Sequence, residues 1–492
     1  METIREVVAS TSYSELCDFP TGVGKTAIGV GAQRVLGKAV YICRTKALQE
    51  QVLSDFSDAK LLRGRANYRC AKHPNRFPEV SAEECIHREG HPCRLIGHCE
   101  YRIAKRQAMN APLAVLNSSY LLSEANSAGG FTDIPFLIYD EVDGSENDLM
   151  SHIELVVTQR QLESLNVKPP RYKTKFEAWL DWAKPSMDVV AKQIGEIESV
   201  INNAGDWEVT DFRMLRRLSK LQRLYSKLFF FAENVDEHWV WYPGQDKWTF
   251  RPVLVSPFAE KNLWRHAKKV LGMSATILDP KQMAKNVGLK DYSYSALDSP
   301  FPVENRPVYL RPVANLTSKT MDAELPKLLR EVERILNRHR GDKVLCHTVS
   351  YKVRNFLLDN LTCKDRLVTH TQKDRIEVLN GFKSSPEPLV LLSPSMDRGT
   401  DLPDEQCRAI IVCKTPFPDL GDPQVKKRLY AFKDGPNWYS HKAVSTIVQM
   451  CGRGVRSMND HADTYILDQQ AERLISENRR MFPKWWLDAL VT

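Results

Sequence analysis

Short apolar runs recur along the chain and alternate with stretches of helical spacing. The first series lies at 38–43, 113–117, 136–143 and 268–276, and the second at 308–313, 342–347, 388–395, 409–415 and 463–468. Apolar runs of this length separated by helices are typical of buried strands in parallel sheets. The pattern therefore predicts two α/β domains in tandem.

Two segments interrupt the first series. The first, 66–105, is rich in cysteine. The second, 150–240, is helical, because apolar residues recur there every three or four positions. These are Val190, Ile194, Ile197 and Ile201, followed by Leu215, Leu218, Leu221, Leu224 and Leu228. We expect a first domain formed by 1–65, 106–149 and 241–285, with these two inserts, and a second domain over 286–492.

The helical segment also carries a stripe of basic residues, and a possible hairpin follows it. The stripe comprises Arg216, Lys220, Arg223 and Lys227. It fits either a solvated face or a surface that faces nucleic acid, and the sequence leaves both open. In "HWVWYPGQDKWTFRP" the turn signal predicts a hairpin with aromatic cross-strand partners. Those aromatic residues are Trp239, Trp241, Trp248 and Phe250.

Composition and charge narrow the class of protein. The 492 residues are 42% hydrophobic and 26% charged, which is typical of a globular protein. The N-terminus has no signal-peptide pattern and no apolar run is long enough for a membrane span, so we expect a cytoplasmic protein without a membrane partner. A net charge of +8 favours polyanionic partners only weakly. Clustered cysteines in a reducing compartment favour metal binding or redox chemistry over disulfides.

The segment "FPTGVGKTA", residues 19–27, has the form of a phosphate-binding loop. Glycines let such a loop curl until its backbone N–H groups converge on phosphate oxygens at a helix N-terminus. Lys25 would reach the outer phosphates and the Thr26 hydroxyl would bind Mg²⁺. The strict pattern has glycine where this chain has Phe19. The residues predicted to surround the phosphates are Thr21, Gly22, Val23, Gly24, Lys25 and Thr26.

Acidic and basic partners for this loop lie further along the chain. In "FLIYDEVD", Asp140 would hold Mg²⁺ through water and Glu141 would orient and deprotonate the attacking water. In "QMCGRGVR", Arg453 and Arg456 lie three residues apart, and we expect them one turn apart on a helix of the second domain. With Gln449 they would stabilise charge on the departing γ-phosphate, which makes hydrolysis depend on domain closure.

The ordered motifs resemble those of the superfamily 2 helicases, and in detail those of the XPD/DinG family of iron–sulfur helicases. They are "PTGVGKT", "YICRTKALQEQ", "LAVLNSSYLL", "DEVD", "GMSATI", "DRGTDLP" and "QMCGRGVR", together with "LLRGRANYRC" and "TPFPDLGDP". The resemblance covers nearly the whole chain. It implies two RecA-like parallel-sheet domains, with an iron–sulfur insert and a helical arch-like insert in the first.

The resemblance also implies an activity. It is that of an ATP- and Mg²⁺-dependent DNA helicase of replication and repair, monomeric, moving 5′→3′ on single-stranded and forked DNA or on an RNA–DNA hybrid. Strand binding would be salt-sensitive and tolerant of sequence. Candidate contacts at strand ends are Thr45, Asn117 and Thr348. Two alternatives stay open: a translocase that remodels complexes without processive unwinding, and a nucleic-acid-binding adaptor whose ATPase has decayed.

Four cysteines in the first insert match the family's ligands for a 4Fe–4S cluster. They are Cys70, Cys85, Cys93 and Cys99. Thiolates suit zinc as well as iron–sulfur clusters, and zinc stays an alternative although no close Cys-x-x-Cys pair occurs. The neighbouring histidines fit solvated or phosphate-proximal positions better than ligand positions. The resemblance implies a structural cluster beside the DNA path.

The chain departs from the family pattern in three places. No Arg-x-x-Gln adenine-contacting element precedes the phosphate loop, which leaves selectivity for the base open. Arg398 stands where the family has glutamate, while Gly399 and Asp401 keep the positions that contact nucleotide. The chain is also compact for the family, so the helical insert would be a reduced arch, and a phage or mobile-element source would suit this economy.

Overall fold

A computed structural model describes residues 2–70, 80–84, 96–203, 212–395 and 402–492. Within these ranges two seven-stranded sheets form the body of the molecule, and every pairing in both sheets is parallel. The predicted α/β class with two parallel sheets is confirmed. We call the first sheet with its helices the first lobe, and the second sheet with its helices the second lobe.

The first sheet has the order β10-β1-β9-β5-β2-β4-β3. Its strands are β1 (Ser14–Asp18), β2 (Ala39–Ile42), β3 (Ala59–Leu61), β4 (Leu113–Leu116), β5 (Phe136–Asp140), β9 (Val270–Ser274) and β10 (Tyr292–Ala296). All residues of β1, β2, β4, β5 and β9 are buried, as expected for strands covered by helices on both faces. Each of the four apolar runs predicted here forms a strand.

The second sheet has the order β13-β14-β12-β15-β16-β11-β17. Its strands are β11 (Val308–Ala314), β12 (Val344–His347), β13 (Leu367–Thr369), β14 (Val390–Ser393), β15 (Ala409–Val412), β16 (Asp463–Asp468) and β17 (Leu490–Val491). The five runs predicted in this half are all strands. The sequence pattern missed the short edge strands β13 and β17, whose few residues give no apolar run.

Helices connect these strands and cover the sheets. In the first lobe and its inserts they are α1 (Glu2–Ala9), α2 (Lys25–Leu36), α3 (Lys46–Asp55), α4 (Glu100–Asn110), α5 (Ser118–Ser123), α6 (Ser145–Ile153), α7 (Gln159–Leu165), α8 (Phe176–Asn203), α9 (Phe212–Asn234), α10 (Ser256–Asn262) and α11 (Pro280–Val287). In the second lobe they are α12 (Met321–Arg338), α13 (Tyr351–Asn360), α14 (Arg375–Ser384), α15 (Pro423–Ala431), α16 (Gly435–Cys451), α17 (Gln469–Glu477) and α18 (Lys484–Asp488).

The helical insert contains α8 and α9 packed against each other. The predicted leucine row of α9 is buried throughout, from Leu215 to Leu228, and Val190 of α8 is fully buried. Arg217 on α9 donates to Gln193 Oε1 on α8 at 2.7 Å. The apolar spacing therefore predicted both helices and the face by which they pack.

A small antiparallel sheet lies beside this insert, in the order β6-β8-β7. Its strands are β6 (Leu155–Thr158), β7 (Trp239–Tyr242) and β8 (Lys247–Pro252). The predicted hairpin is present, and Trp241 lies opposite Phe250 with stacked rings. Trp239 lies opposite Pro252 of β8. Trp248 of β8 lies opposite Val157 of β6, because β8 pairs with β7 on one side and with β6 on the other.

The predicted domain boundary at residue 285 precedes β10, which pairs with β1 in the first sheet. We therefore propose a boundary after Ala296. Strand β10 alternates tyrosine and serine and none of its residues is fully buried, which is typical of an edge strand and explains why no apolar run marked it.

Candidate nucleotide and nucleic-acid sites

The phosphate loop lies at the carboxyl edge of the first sheet, between β1 and α2. Gly22 and Gly24 have φ angles of 90° and 77°, a left-handed conformation that favours glycine. Gly24 caps the N-terminus of α2, so the unpaired N–H groups of that helix point towards the loop. Phe19, the departure from the strict pattern, is fully buried in the core under the sheet. This geometry fits a phosphate chain.

Lys25 lies at the start of α2 among opposite charges. Its ammonium donates to the carbonyl oxygens of Phe19, at 3.2 Å, and Pro20, at 3.4 Å. Desolvation lowers its pKa, and the carboxylates of Asp140 and Glu141 oppose that shift. The lysine is therefore held inside the loop by acceptors that a phosphate oxygen can replace.

Thr26 and Asp140 meet through one tyrosine. The Tyr41 hydroxyl donates to Asp140 Oδ2 at 3.4 Å and also hydrogen-bonds the Thr26 side chain. Asp140 is 6% exposed, and burial raises its pKa to about 6 while Lys25 opposes the shift. A hydroxyl and a carboxylate oxygen beside a phosphate loop are ligands that suit Mg²⁺.

Glu141 has a strained backbone. Its φ and ψ are 55° and 50°, the left-handed region that residues other than glycine seldom adopt. Its backbone N–H donates to Asp140 Oδ1 at 3.1 Å. Strain of this kind concentrates at functional sites, since the surrounding structure must hold it. The left-handed conformation therefore makes Glu141 a candidate functional residue.

Gln449 joins the two lobes at this edge. From α16 in the second lobe its Nε2 donates to Thr276 Oγ1 at 2.7 Å and to Asp143 Oδ2 at 3.1 Å, both in the first lobe. Ser274 donates to the other oxygen of Asp143 at 2.7 Å. All three first-lobe side chains are at most 5% exposed. The two lobes therefore share a hydrogen-bonded, largely dry contact next to the phosphate loop.

Arg453 and Arg456 do not lie on a helix, so that prediction is wrong. Helix α16 ends at Cys451 and Gly452 caps it. A side chain at Gly454 would place its Cβ 2.4 Å from Ala462 Cβ, so the chain after the helix approaches too closely for any larger residue. The arginines project from an irregular segment, which lets each point in its own direction.

Arg456 faces the phosphate loop across the lobe boundary. Its positive charge contributes to lowering the pKa of Lys25, and desolvation lowers its own pKa to about 10. Its backbone N–H donates to Asp460 Oδ2 at 2.9 Å, which fixes the segment. Arg453 lies near His347, whose pKa burial lowers to about 3 with a further contribution from that arginine. Arg456 therefore acts electrostatically on the phosphate loop, whereas Arg453 acts on His347 of the second lobe.

The structure describes only some of the residues that were predicted to bind metal or nucleotide. Cys85, Cys93, Gly399 and Asp401, with Arg398, lie outside the described residues. Cys70 and Cys99 are both half-buried, and Cys99 precedes α4. The described residues contain no group of three or more His, Cys, Asp or Glu that could hold a metal ion. The 4Fe–4S cluster therefore stays a proposal.

A polar cleft of about 320 Å³ opens at the carboxyl ends of β2 and β4. Its lining includes Arg44, Lys46, Arg63, Asn67, Ser118 and Ser119. The predicted strand contacts Thr45 and Asn117 accept from Leu48 N and Tyr120 N as helix caps. Thr348 is fully buried, so without rearrangement it cannot contact a nucleic-acid strand.

A larger channel of about 610 Å³ runs between the lobes. Glu146, Glu154 and Arg251 line it from the first lobe and its inserts, and Phe417, Trp438 and Lys442 from the second. Lys442 pairs with Glu146 at 2.7 Å across it. Aromatic faces combined with cations suit a single strand.

The basic stripe on α9 is partly used inside the protein. Arg223 pairs with Glu83 of the first insert at 2.5 Å. Lys227 donates to the His152 carbonyl, and burial lowers the pKa of that lysine to about 8. Lys220 is exposed. The stripe therefore connects the inserts and the first lobe, and a continuous nucleic-acid surface along it is not supported.

Sequence reasoning left several functional residues out of the site. Asp143 and Thr276 lie inside the quoted "DEVD" and "GMSATI" segments, so the signal was present. Phe301 contacts the phosphate loop from the segment between the lobes. Its surrounding sequence, "DSPFP", forms none of the recognised motifs. Its role depends on contacts that no spacing predicts.

Comparisons with known proteins agree with this arrangement. A model of the helicase C-terminal domain matches residues 332–489. A probable ATP-dependent helicase of Methanocaldococcus jannaschii is 21% identical over 540 residues, covering 89% of this chain and 80% of that protein. A regulator of telomere elongation helicase 1 homolog of Drosophila virilis is 23% identical, but the match covers 45% of this chain and 25% of that protein.

Solved structures share the fold. An XPD structure without ligand superposes with a TM-score of 0.66 at 14% identity, covering 98% of this chain and 99% of that one. Xpd4 of S. tokodaii superposes with a TM-score of 0.64 at 15% identity, covering 99% and 97%. Both have the two RecA-like domains found here as parallel sheets. The chain is therefore similar in sequence to ATP-dependent helicases, matches the helicase C-terminal domain over residues 332–489, and shares the fold of the XPD structures.

Proposed function

We propose that this helicase hydrolyses ATP to move along single-stranded DNA and to separate the duplex ahead of it. The observation that carries the proposal is the contact of Gln449 with Asp143 and Thr276, which closes the crevice between the phosphate loop and the arginine segment. Hydrolysis in such a crevice changes the distance between the lobes, because the charges that hold them together change with the nucleotide.

Each residue of the crevice has a defined task in this proposal. The loop amides and Lys25 hold the phosphates, while Thr26 and Asp140 hold Mg²⁺, which neutralises phosphate charge when bound. Glu141 orients the attacking water. The guanidinium of Arg456, which already acts on Lys25 across the boundary, balances charge on the departing phosphate, with Arg453 beside it.

The strand would cross the polar cleft at β2 and β4 and the channel between the lobes. Backbone phosphates suit Arg44, Lys46 and Arg63 of the cleft. Bases suit the aromatic rings that line the channel, those of Phe417 and Trp438. Binding should weaken with salt and tolerate sequence. We propose 5′→3′ movement, action on forked DNA and a monomeric state from the family resemblance.

A 4Fe–4S cluster on Cys70, Cys85, Cys93 and Cys99 belongs to the same proposal. Anaerobically prepared protein should contain about four irons per chain and the broad visible absorbance of a cluster. Cys99→Ser should lose both, and Cys363→Ser, in a half-buried cysteine of the second lobe, should keep both. Stoichiometric zinc without that absorbance would establish the zinc alternative.

The proposal is tested by strand-stimulated ATP hydrolysis and by unwinding of duplexes with 5′ or 3′ tails. Lys25→Ala should abolish both, since no other cation in the loop can hold the outer phosphates. The matched control is Lys327→Ala, which removes a lysine that is 51% exposed and paired with Glu324 on α12. Persistent hydrolysis in Lys25→Ala would refute the site, and strand-stimulated hydrolysis without unwinding would establish the translocase alternative.

A further inference from the structure

One aromatic side chain, from the segment between the lobes, packs against both of them. A Cβ built on Gly22 would lie 2.1 Å from Phe301 Cζ, 2.7 Å from Cε2 and 3.0 Å from Cε1. The far end of the ring therefore fills the space that a side chain at Gly22 would need. The same ring is buried with Val455 and Ala462 of the second lobe, in a small cluster separate from the apolar cores of the two sheets.

Phe301 belongs to a strap, residues 299–307, that is bound to the second lobe. Arg306 Nε donates to the Phe301 carbonyl oxygen at 3.1 Å, and Arg306 Nη1 donates to the Trp485 carbonyl oxygen at 2.5 Å. Strand β11 begins directly after the strap and pairs with β16. The backbone that carries the ring is therefore fixed to the second lobe, while the end of the ring contacts the first.

The strap also binds the segment that carries the site arginines. The Asn305 carbonyl oxygen accepts from the Ala462 N–H at 3.0 Å, and Asn305 Nδ2 donates to the Met458 carbonyl oxygen at 2.8 Å. Val455, which packs with the ring, lies directly before Arg456 in the chain. The phosphate loop and the arginine segment therefore pack against the same aromatic ring.

We propose that Phe301 is a strut that sets the distance between the phosphate loop and the arginine segment, and so positions Arg456 for hydrolysis. Close-packed side chains transmit a displacement to their neighbours, and a displacement of about 1 Å can lower a rate about a hundredfold. Phe301 contacts no reacting atom and acts through Val455. The proposal rests on the proposed ATP site and on the task given there to Arg456, and it adds the residue that places this arginine.

The test compares two variants that differ in how far the side chain reaches. In Phe301→Leu the side chain ends at Cδ and withdraws from Gly22, whereas in Phe301→Met it extends about as far as the ring. With Mg²⁺-ATP and saturating single-stranded DNA, Phe301→Leu should lower kcat about tenfold and change KM less than about threefold, because the phosphates keep their loop while the arginine is displaced. Phe301→Met should stay within about threefold of the wild-type kcat. A role in packing alone predicts that leucine and methionine, which are similar in volume, behave alike.

A double-mutant cycle tests whether the strut acts through the arginine. Arg456→Ala should lower kcat about 10³-fold, because it removes the guanidinium that balances charge on the departing phosphate. In that background Phe301→Leu should lower kcat less than about twofold further, since no guanidinium is left to position. A further tenfold loss would show that the ring acts independently of Arg456 and would refute the strut.

The matched control is Phe356→Leu, which removes a partly buried ring on α13 that packs on a different apolar cluster of the second lobe. Its kcat and KM should match the wild type, and thermal melting should show every variant folded at the assay temperature. A wild-type kcat in Phe301→Leu, equal losses in the leucine and methionine variants, or a lowered KM, which would make the ring an obstacle to nucleotide, would each refute the strut. Wild-type protein without strand-stimulated hydrolysis would refute the proposed function, and Arg456→Ala with the wild-type kcat would refute the task of that arginine.

Discussion

Replacement of Gln449 by alanine should disconnect the two lobes at the nucleotide site. The change removes the amide on α16 that donates to both Asp143 and Thr276, at 3.1 and 2.7 Å. Asp143 keeps its bond from Ser274 on one oxygen, while its second oxygen loses the amide donor. The fold of each lobe should survive, because Gln449 is only half-buried.

The size of the effect follows from the two hydrogen bonds. A neutral hydrogen bond contributes about 1 kcal/mol net, and one to a charged group contributes about 1.5–3 kcal/mol. Half-burial places both near the lower end, so closure should lose about 2–3 kcal/mol. If closure is required for hydrolysis, kcat should fall about 30- to 150-fold, at about 1.4 kcal/mol per factor of ten. KM should change little, since the loop that binds phosphate is untouched.

The assay is strand-stimulated ATP hydrolysis with KM and kcat determined separately. The matched control is Gln424→Ala, because Gln424 also spans the lobes but makes only long contacts, at 3.5 and 3.3 Å, with the Pro252 and Val253 carbonyls. That variant should stay within about twofold of wild type. A Gln449→Ala enzyme with wild-type kcat, or one in which KM alone rises, would refute the coupling of closure to chemistry.

Two further predictions concern stability. Asp434→Ala should lower the free energy of unfolding by about 3 kcal/mol, because it removes the ion-pair partner of Arg428, whose side chain is 2% exposed. Asp58→Ala, which breaks an exposed ion pair with Arg34, should lower it by less than about 1 kcal/mol. Equal losses of the two variants in urea unfolding would contradict this expectation. Arg428 lowers the pKa of Asp434 in the folded state, so the pair's contribution should begin to decline as pH falls below the unfolded value of about 3.9 and should be lost only as pH falls through the lowered folded pKa. Burial raises the pKa of Asp18 to about 6, above its unfolded value of about 3.9, so the folded state binds the proton more tightly and stability should fall as pH rises from about 4 to about 6. Asp18→Asn should remove this pH dependence and raise the free energy of unfolding by up to about 3 kcal/mol above pH 6. The asparagine side-chain oxygen can still accept the hydrogen bond from Leu278 N. An unchanged pH profile would show that Asp18 does not titrate in this range.

The sequence pattern predicted most of the completely buried strands of both lobes, whereas β1 is completely buried but its sequence forms no apolar run. Strands such as β5 and β12 are buried along their whole length, so their apolar runs are continuous and easily read. Edge strands carry a weaker pattern because water covers one side of them, and β10 was missed for this reason. The boundary proposed after Ala296 differs from the one predicted at residue 285 for the same reason.

The placement of the arginines shows where local pattern fails. Spacing of three suggested one helical turn, but Gly452 ends the helix and Gly454 must pack against Ala462. Gly454 and Ala462 are eight positions apart in an irregular segment, so no helical or strand periodicity predicts their contact. For the basic stripe on α9 the sequence left two interpretations open, and only the structure shows that Arg223 and Lys227 have partners on other elements.

The sequence by itself determined the chemistry: the loop glycines, Lys25, the Asp140–Glu141 pair and the arginine segment are local signals, because each follows from backbone freedom or charge at fixed spacing. The tertiary structure alone decided which of these groups meet. Gln449 donates to Thr276 across the boundary between the lobes. Phe301 contacts Gly22, which lies far from it along the chain. Both contacts depend on the packing of the whole chain. Contacts between distant segments are set by the free energy of the complete fold, and no short stretch of sequence encodes them.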